Sequence, residues 1–152
     1  MQMCPMNIGD YRVIDRLGIG GSGEIYRAHH QDDSPEQIVV IKRLLAKLRS
    51  DALARDQFLT EADLGRRLMH PNLIRQLAFG LEDEELFLVL QYVDGPNLFT
   101  LLNTLRSRSM QPAGYVAGYI ISQVLEGLHF AHELKGADES YLGLVHRDVN
   151  PH

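Results

Sequence analysis

The sequence predicts an α+β protein in which a small antiparallel sheet with one main helix precedes a helical region. In the first half of the 152-residue chain, short apolar runs alternate with polar turns, which is the pattern of strands. Residues 58–69 instead repeat their apolar side chains at spacings of three and four, which is typical of a helix. This helical spacing recurs at residues 98–105 and 116–131. The turn at residues 94–97 therefore marks the predicted boundary between the two regions.

The composition is that of a globular protein, with 45% hydrophobic and 23% charged residues. A net charge of −5 argues against a nucleic-acid binder, and we expect the basic residues between 42 and 55 to form a solvated helix face. The single cysteine, Cys4, excludes an internal disulfide and fits a reducing compartment. Because residues 1–6 do not resemble a signal peptide and no apolar stretch reaches the ~18 residues of a membrane span, we expect a cytoplasmic protein.

Three glycines, Gly18, Gly20 and Gly23, have the spacing G-x-G-x-x-G. Glycine lacks Cβ, so its backbone can approach a ligand closely and can present amide N–H groups to phosphate oxygens. The spacing alone is a weak signal, because more than one class of nucleotide-binding protein uses it. The residues that follow must therefore decide the class.

The glycines are predicted to lie in a β-hairpin that leads to a lysine. Residues 24–28 favour a strand, residues 31–36 form a polar turn, and residues 38–41 form a second apolar strand that ends at Lys42. A dinucleotide-binding loop would open into a helix and would need an acid near this position. A mononucleotide P-loop is excluded as well, because no Gly-Lys-Ser/Thr follows the glycines.

This arrangement resembles the protein kinase family. Residues 18–25 are similar to the glycine-rich loop of that family, with Ile25 in place of the usual Val. Residues 39–42 are similar to its V-A-I-K strand, with Val40 in place of Ala. The resemblance implies that Lys42 holds the α- and β-phosphates of ATP, whereas the alternative is a surface lysine at the end of a strand.

Glu61 is predicted to pair with Lys42. The helix that follows the polar break at residues 50–51 has one apolar face, and Glu61 lies on the shoulder of that face. The residues of this face are Phe58, Ala62, Gly65 and Met69. A carboxylate near a buried face is costly unless a cation meets it, and the resemblance implies the same pair. A solvated glutamate on a surface helix remains the alternative.

The region between this helix and the boundary is predicted to contain two strands and the adenine-binding segment. Proline at residue 71 should stop the helix, and strands are expected at residues 73–77 and 86–90. The resemblance implies that Leu90 guards the back of the nucleotide pocket and that Gln91 and Val93 belong to the hinge. Beyond the boundary, Asn97 is a candidate N-cap for the helix at 98–105.

The sequence His146-Arg147-Asp148 resembles the catalytic loop of the family, H-R-D-x-x-x-x-N. The resemblance implies that Asp148 accepts or orients the proton of the substrate hydroxyl. Serine/threonine kinases usually carry a lysine two residues later, where this chain has Asn150. Because an amide brings no charge, stabilisation of the transition state there would be weaker or would be supplied elsewhere.

The motif's asparagine would be residue 153, and the sequence stops at His152. The Mg²⁺-binding aspartate of the family would also lie beyond this point, so we expect a truncated part with little activity of its own. No metal ligand is predicted within the chain, although the family uses both ATP and Mg²⁺. The apolar helix faces at 98–105 and 116–131 are expected to be exposed and to favour self-association.

The resemblance thus implies an amino-terminal tail at 1–10, a small lobe at 11–94, and the start of a helical lobe at 95–152. Its catalytic residues would be Lys42, Glu61 and Asp148. The nucleotide-contacting positions it implies are Leu17, Gly18, Ile19, Gly20, Gly21, Ser22, Gly23, Ile25, Val40, Lys42, Leu90, Gln91 and Val93. The predicted function is a bacterial type of serine/threonine protein kinase, because residues 148–151 differ from the A-A-R loop common in tyrosine kinases. The alternatives are a non-catalytic nucleotide-binding or interaction module and a small-molecule kinase.

Overall fold

The computed structural model describes residues 6–151, which fall into two units. Unit 1 comprises residues 6–69 and 74–92, and unit 2 comprises residues 70–73 and 93–151. Within the described residues no helix is long and apolar enough to cross a membrane.

Unit 1 is built on one antiparallel sheet of six strands in the order β1-β2-β3-β4-β6-β5. The strands are β1 (Asn7–Ile8), β2 (Tyr11–Ile19), β3 (Gly23–His30), β4 (Ile38–Leu44), β5 (Gln76–Glu82) and β6 (Glu85–Gln91). A short 3-10 helix (Ala46–Leu48) and helix α1 (Ala52–Arg67) connect β4 to the β5–β6 hairpin. The predicted α+β arrangement is therefore present in this unit.

The sheet of unit 1 separates two apolar clusters, because successive side chains of a strand point to opposite faces. The first cluster is formed by Ile8, Tyr26, Ala28, Ile41, Phe87 and Val89. The second cluster includes residues of α1 and is formed by Leu44, Phe58, Ala62, Leu86 and Leu88. Ile41 and Lys42 are neighbours in β4, so Lys42 points to the same side of the sheet as α1.

Helix α1 begins where the sequence predicted and ends two residues before the last predicted position of its apolar face. The Asp51 side chain caps the helix by accepting hydrogen bonds from the N–H groups of Leu53 (2.9 Å) and Ala54 (3.2 Å). The helix ends at Arg67, and Met69 is 67% exposed. The prediction that Met69 belongs to the buried face was wrong, because the helical spacing does not continue to that residue.

Two further expectations need correction. Residues 1–10 were expected to be a tail, but Asn7 and Ile8 form β1, and Ile8 is only 3% exposed. Cys4, for which no internal disulfide was predicted, lies outside the described residues. The strand expected at 73–77 begins instead at Gln76. Residues 70–73 form a turn, closed by a hydrogen bond from Leu73 N–H to the carbonyl of His70 (3.0 Å).

Unit 2 contains α2 (Leu98–Ser107) and α3 (Gly114–His132), and the 70–73 turn packs on α3. The Asn72 side chain donates to the carbonyl of Gln123 (3.0 Å). Gly127 permits this approach, because a Cβ there would lie 3.3 Å from the Asn72 carbonyl oxygen. The predicted cap of α2 is confirmed, since Asn97 Oδ1 accepts a hydrogen bond from Thr100 N–H (2.8 Å).

The predicted apolar faces of α2 and α3 are only partly exposed: Leu101 and Val124 are exposed, whereas Leu98, Leu105 and Ile120 are half-buried. Gly127 is the one buried residue of α3, and α2 has none. Large side chains that are more than a third exposed occur along both helices, namely Phe99, Leu101, Tyr115, Tyr119, Ile121, Val124 and Leu125. The two helices also border an almost wholly apolar cavity of about 370 Å³.

Candidate functional site

Lys42 and Glu61 form an ion pair in unit 1. The Lys42 Nζ lies 2.6 Å from each oxygen of the Glu61 carboxylate. Lys42 stands in β4 between Ile25 of β3 and Leu88 of β6, and α1 brings Glu61 to the same face. The Lys42 side chain is 19% exposed and that of Glu61 is 47% exposed. The pair that the sequence predicted is therefore present.

The surroundings of Lys42 explain why the pair forms. Leu88 beside Lys42 is buried, and the ring of Phe58 lies 5.9 Å from Nζ, so a large part of the amine's environment is apolar. A cation in such a place requires a partner. Because Glu61 is about half exposed, the pair adds less than about 1 kcal/mol to the free energy of unfolding. Its main consequence is that the direction of the Lys42 side chain is fixed.

The glycine-rich loop joins β2 to β3 and is closed by its own backbone. Gly20 N–H donates to the carbonyl of Gly23 (2.7 Å), and the carbonyl of Ser22 accepts from Leu45 N–H (3.1 Å). A Cβ at Gly23 would lie 2.9 Å from the Arg43 carbonyl oxygen, so only glycine fits. At Gly18, Gly20 and Gly21 a Cβ would meet no atom closer than 3.7 Å. These three glycines leave open space beside the loop.

The glycines of this loop do not adopt the left-handed conformation that glycine permits. Among the described residues, glycines with positive φ are Gly9, Gly95 and Gly143, none of which is in this loop. The glycines of the loop therefore matter for the room they leave and, at Gly23, for packing against β4.

Several predicted nucleotide contacts share the Lys42 face of the sheet. Ile25 pairs with Lys42 and Val40 pairs with Leu90, and paired residues of neighbouring strands point to the same side. Leu17 at the end of β2 is 51% exposed. Ile19 is 60% exposed, but it pairs with Glu24, which pairs with Arg43, so Ile19 points to the side of the sheet opposite Lys42. Unit 1 thus offers an accessible, mainly apolar surface next to a fixed ammonium group.

The two predicted hinge residues differ in what they can offer to a ligand. The N–H of Gln91 donates to the carbonyl of Arg75 (2.9 Å), so this N–H is already used within unit 1. Val93 belongs to unit 2, lies outside regular structure and is 61% exposed. Any backbone donor of this segment must therefore come from a residue other than Gln91.

A polar network around Arg43 was not predicted from the sequence. Arg43 donates to Glu24 (2.8 Å), to the Tyr26 hydroxyl (3.1 Å) and to Glu85 (3.3 Å). Arg49 also reaches Glu85, at 2.5 Å. The hydrogen bond from Arg43 holds the pKa of the Glu24 carboxyl below its usual range, and burial raises the pKa of the Tyr26 hydroxyl.

This network corrects the expectation that the basic residues between 42 and 55 form a solvated helix face. Arg43 lies in β4 with a side chain only 15% exposed, and it ties β3, β4 and β6 together next to Lys42. The sequence could have indicated this position of Arg43, because successive side chains of a strand alternate and Arg43 therefore points to the side of the sheet opposite Lys42.

In unit 2, the segment around Asp148 is held by local hydrogen bonds. Asp148 N–H donates to His146 Nδ1 (3.2 Å), and Arg147 has a φ of +62°. Asn150 Nδ2 donates to the Asp148 carboxylate (2.9 Å) and to its backbone carbonyl (3.1 Å). The carbonyl of Pro151 accepts from Phe99 N–H in the first turn of α2 (2.8 Å). Asp148 itself is exposed.

The predicted catalytic residues therefore lie in different units, with Lys42 and Glu61 in unit 1 and Asp148 in unit 2. Within residues 6–151, no group of three or more His, Cys, Asp or Glu side chains could hold a metal ion.

The Lys42–Glu61 pair lies beside a glycine-rich loop on an antiparallel sheet. A comparison with known families agrees with these features. The family described as the protein kinase domain matches residues 11–152. The chain belongs to the protein kinase family. This confirms the resemblance seen in the sequence, and the predicted kinase-like fold is confirmed by similarity to solved kinase structures.

Relatives and solved kinases resemble the chain along nearly its whole length. The serine/threonine-protein kinase pkn3 of Myxococcus xanthus is 39% identical over 93% of this chain and 23% of its own length. The tyrosine-protein kinase MasK of the same species is 33% identical, over 94% and 22%. The crystal structure of the Mycobacterium tuberculosis PknI kinase domain is 28% identical with a TM-score of 0.70, over 99% of this chain and 57% of that one. The chain thus spans about a fifth of the curated relatives.

Proposed function

We propose that this chain is the ATP-binding part of a protein kinase that transfers the γ-phosphoryl group of ATP to serine or threonine hydroxyls. The observation that carries the proposal is the bidentate contact between Lys42 Nζ and the Glu61 carboxylate, at 2.6 Å to each oxygen. A lysine whose side chain is fixed in this way can hold its ammonium group between two phosphate groups and contact both. Family membership supports the assignment.

Unit 1 has the space, the hydrogen-bond donors and the apolar side chains that a bound nucleoside triphosphate would need. The space beside Gly18, Gly20 and Gly21 would admit phosphate oxygens, and the amide groups of the loop can donate to them. The apolar side chains on the Lys42 face would cover the base and ribose. Bound ATP would supply the phosphoryl group, and Mg²⁺ would arrive with its phosphates. Both are used inside the cell, so we place the reaction in the cytoplasm.

Asp148 is the proposed residue for the substrate hydroxyl. An exposed carboxylate can accept a hydrogen bond from the hydroxyl and then take its proton as the hydroxyl oxygen bonds to the γ-phosphorus. The bond from that phosphorus to the bridging oxygen would break at the same time, and ADP would leave. The hydrogen bond from Asn150 supports this role, because it limits the directions that the carboxylate can take.

The choice of serine and threonine over tyrosine rests on sequence likeness. Residues 148–151 differ from the loop common in tyrosine kinases, and pkn3 is named a serine/threonine kinase. MasK, at similar coverage, is named a tyrosine kinase. Phosphoamino-acid analysis of a mixed peptide substrate would distinguish the two, and phosphotyrosine alone would overturn this part of the proposal.

A double-mutant cycle tests the pair that carries the proposal. We expect Lys42→Met and Glu61→Gln each to weaken ATP binding, and the double variant to be no weaker than Lys42→Met alone, since the pair acts as a unit. Binding is measured by titration calorimetry. Additive losses would contradict the proposed role of Glu61.

Phosphoryl transfer is tested with Asp148→Asn and with Asp138→Asn as the matched control. Both residues are exposed carboxylates of unit 2, but Asp138 is bonded to Ser140 in a separate loop. We expect Asp148→Asn to lower kcat at least about a hundredfold and Asp138→Asn to change it little. Transfer that Asp148→Asn leaves unchanged would contradict the role proposed for Asp148 and would favour the alternative, in which the chain is a non-catalytic nucleotide-binding module.

We also propose that the exposed apolar faces of unit 2 cause self-association. Ile121 and Leu125 are 56% and 58% exposed and lie one turn apart on α3. Changing both to glutamate should shift sedimentation at high concentration toward the monomer, whereas Asn103→Glu on α2 should not. A sharp monomeric profile of the unmodified chain would contradict this proposal.

A further inference from the structure

Asn150 holds the Asp148 carboxylate with one side-chain amide. Nδ2 lies 2.9 Å from Asp148 Oδ1 and 3.1 Å from the Asp148 backbone carbonyl oxygen. An amide NH₂ has two donors, and here both are directed at the same residue. This contact fixes the carboxylate relative to its own backbone.

The backbone on either side of this contact is anchored as well. Pro151, whose φ is restricted by its ring, accepts a hydrogen bond from Phe99 N–H at 2.8 Å. That donor lies in the first turn of α2, next to the Asn97 cap. On the other side, Asp148 N–H is bonded to His146 Nδ1 at 3.2 Å. Asn150 is therefore attached to a short segment that is held at both ends.

We propose that Asn150 is a positioning residue for Asp148. Its amide occupies Oδ1 and leaves Oδ2 to accept the proton of a substrate hydroxyl. This inference rests on the proposed kinase function. Because the amide is neutral, it directs the carboxylate without placing a positive charge beside the transferred phosphoryl group. Because the Asp148 carboxylate is already oriented, the activation free energy does not include the cost of orienting it.

A purely structural role for Asn150 is the competing explanation, since asparagine often bonds to nearby backbone in turns. In that case the bond to the Asp148 backbone carbonyl would matter and the bond to Oδ1 would not. The two explanations differ in one respect that can be measured. Only the positioning role requires the Asn150 amide to bond to the side-chain carboxylate of Asp148.

The first test uses the chain itself with ¹⁵N-labelled asparagine. The sequence contains five asparagines, so Asn150→Ala identifies the side-chain signals of Asn150. We expect both amide protons to differ from those of the exposed Asn103. In Asp148→Ala the proton donated to Oδ1 should move to the position of an exposed amide, while the other proton stays in place. Signals that match Asn103 in the unmodified chain, or that ignore Asp148→Ala, would overturn the inference.

The second test measures phosphoryl transfer. Asn150→Ala should lower kcat about ten- to a hundredfold with an unchanged KM for ATP, and Asn150→Ser, which keeps a shorter donor, should recover part of it. In an Asp148→Asn background, Asn150→Ala should cost nothing more. An equal loss in both backgrounds, or no loss in either, would overturn positioning. If ATP does not bind to the unmodified chain, the kinase proposal fails, and the amide spectra still decide whether Asn150 holds the Asp148 carboxylate.

Discussion

Units 1 and 2 contain apolar residues at equally regular spacings, yet they bury them very differently. In unit 1 the side chains of Ile41 and Val89 are completely buried, and α1 places Phe58 against the sheet. In unit 2 the helices α2 and α3 bury one residue between them, Gly127, and the apolar side chains on both helices stay partly or largely exposed. Spacing therefore predicts which face of a helix is apolar, but it does not predict what covers that face.

The difference follows from how the two units obtain their contacts. In unit 1, β4 pairs with β3 and with β6, which is more than 40 residues further along the chain, and α1 covers one face. Unit 2 has two helices and irregular segments within the described residues. Two helices alone offer few surfaces to each other, so an apolar face on either helix stays exposed unless a further element meets it.

The largest expected effect compares the same substitution in both units. Ile41→Ala should lower the free energy of unfolding by about 3 kcal/mol, because it leaves a cavity in the first cluster. Ile121→Ala should change it by less than about 0.5 kcal/mol, since Ile121 is 56% exposed. Urea unfolding followed by circular dichroism measures both. At a concentration where the chain sediments as a monomer, similar losses would mean that Ile121 is covered within the monomer and that the comparison is wrong.

The next effect contrasts two glycines. A Cβ at Gly80 would lie far inside the van der Waals radius of the Phe87 ring, and a Cβ at Gly9 would lie 2.8 Å from the same ring. Gly80→Ala should therefore destabilise by about 2 kcal/mol. A Cβ at Gly118 in α3 would meet nothing within 4 Å. Gly118→Ala should stabilise the helix by about 0.5–1 kcal/mol.

The same unfolding experiment checks this second contrast. A stabilising Gly80→Ala would show that β5 and β6 can separate without loss, which would contradict the tight packing of unit 1. A destabilising Gly118→Ala would show that α3 has a neighbour at that position.

The smallest effect concerns pH. Arg43 lowers the pKa of Glu24, so the folded state binds a proton at this carboxyl only at lower pH than the unfolded state does. The stabilisation is complete above the unfolded pKa of about 4.3 and is lost as the pH falls through the folded pKa. Glu24→Gln should remove at most about 1 kcal/mol of this acid dependence.

Asp138 in unit 2 provides the comparison for this pH effect. Hydrogen bonds from Ser140 lower the pKa of the Asp138 carboxyl, but the residue lies in an exposed loop. Asp138→Asn should change acid unfolding less than Glu24→Gln does. A larger change for Asp138→Asn than for Glu24→Gln would show that the Arg43 network contributes little to the stability of unit 1.

The sequence predicted the parts of the site whose spacing has a local physical reason. The glycine hairpin and the strand ending near Lys42 follow from turn residues and β-branched runs. The polar break at residues 50–51 marked the start of α1, and Asn97 was predicted to cap α2 because a polar residue there precedes apolar ones. The Lys42–Glu61 pair followed from the cost of an unpaired carboxylate near a buried face.

The contacts that depend on register between distant strands could not be predicted. Arg43 and Glu85 meet because β4 pairs with β6 in one specific register, which no local pattern of the sequence determines. The place of β1 and the end of α1 before Met69 were missed for a related reason, since tertiary packing decides them. The hydrogen bond from Asn150 to Asp148 was missed as well; it follows directly after Arg147, whose positive φ the sequence does not indicate.

The most direct test of the central claim is unfolding of this chain with and without Mg-ATP, beside Lys42→Met and the exposed control Lys47→Met. At a hundred times the dissociation constant, ATP should raise the free energy of unfolding of the unmodified chain and of Lys47→Met by about 2.7 kcal/mol. Lys42→Met should lose most of this increase. No increase in the unmodified chain, or equal increases in all three proteins, would contradict the claim that the Lys42–Glu61 pair forms the phosphate site.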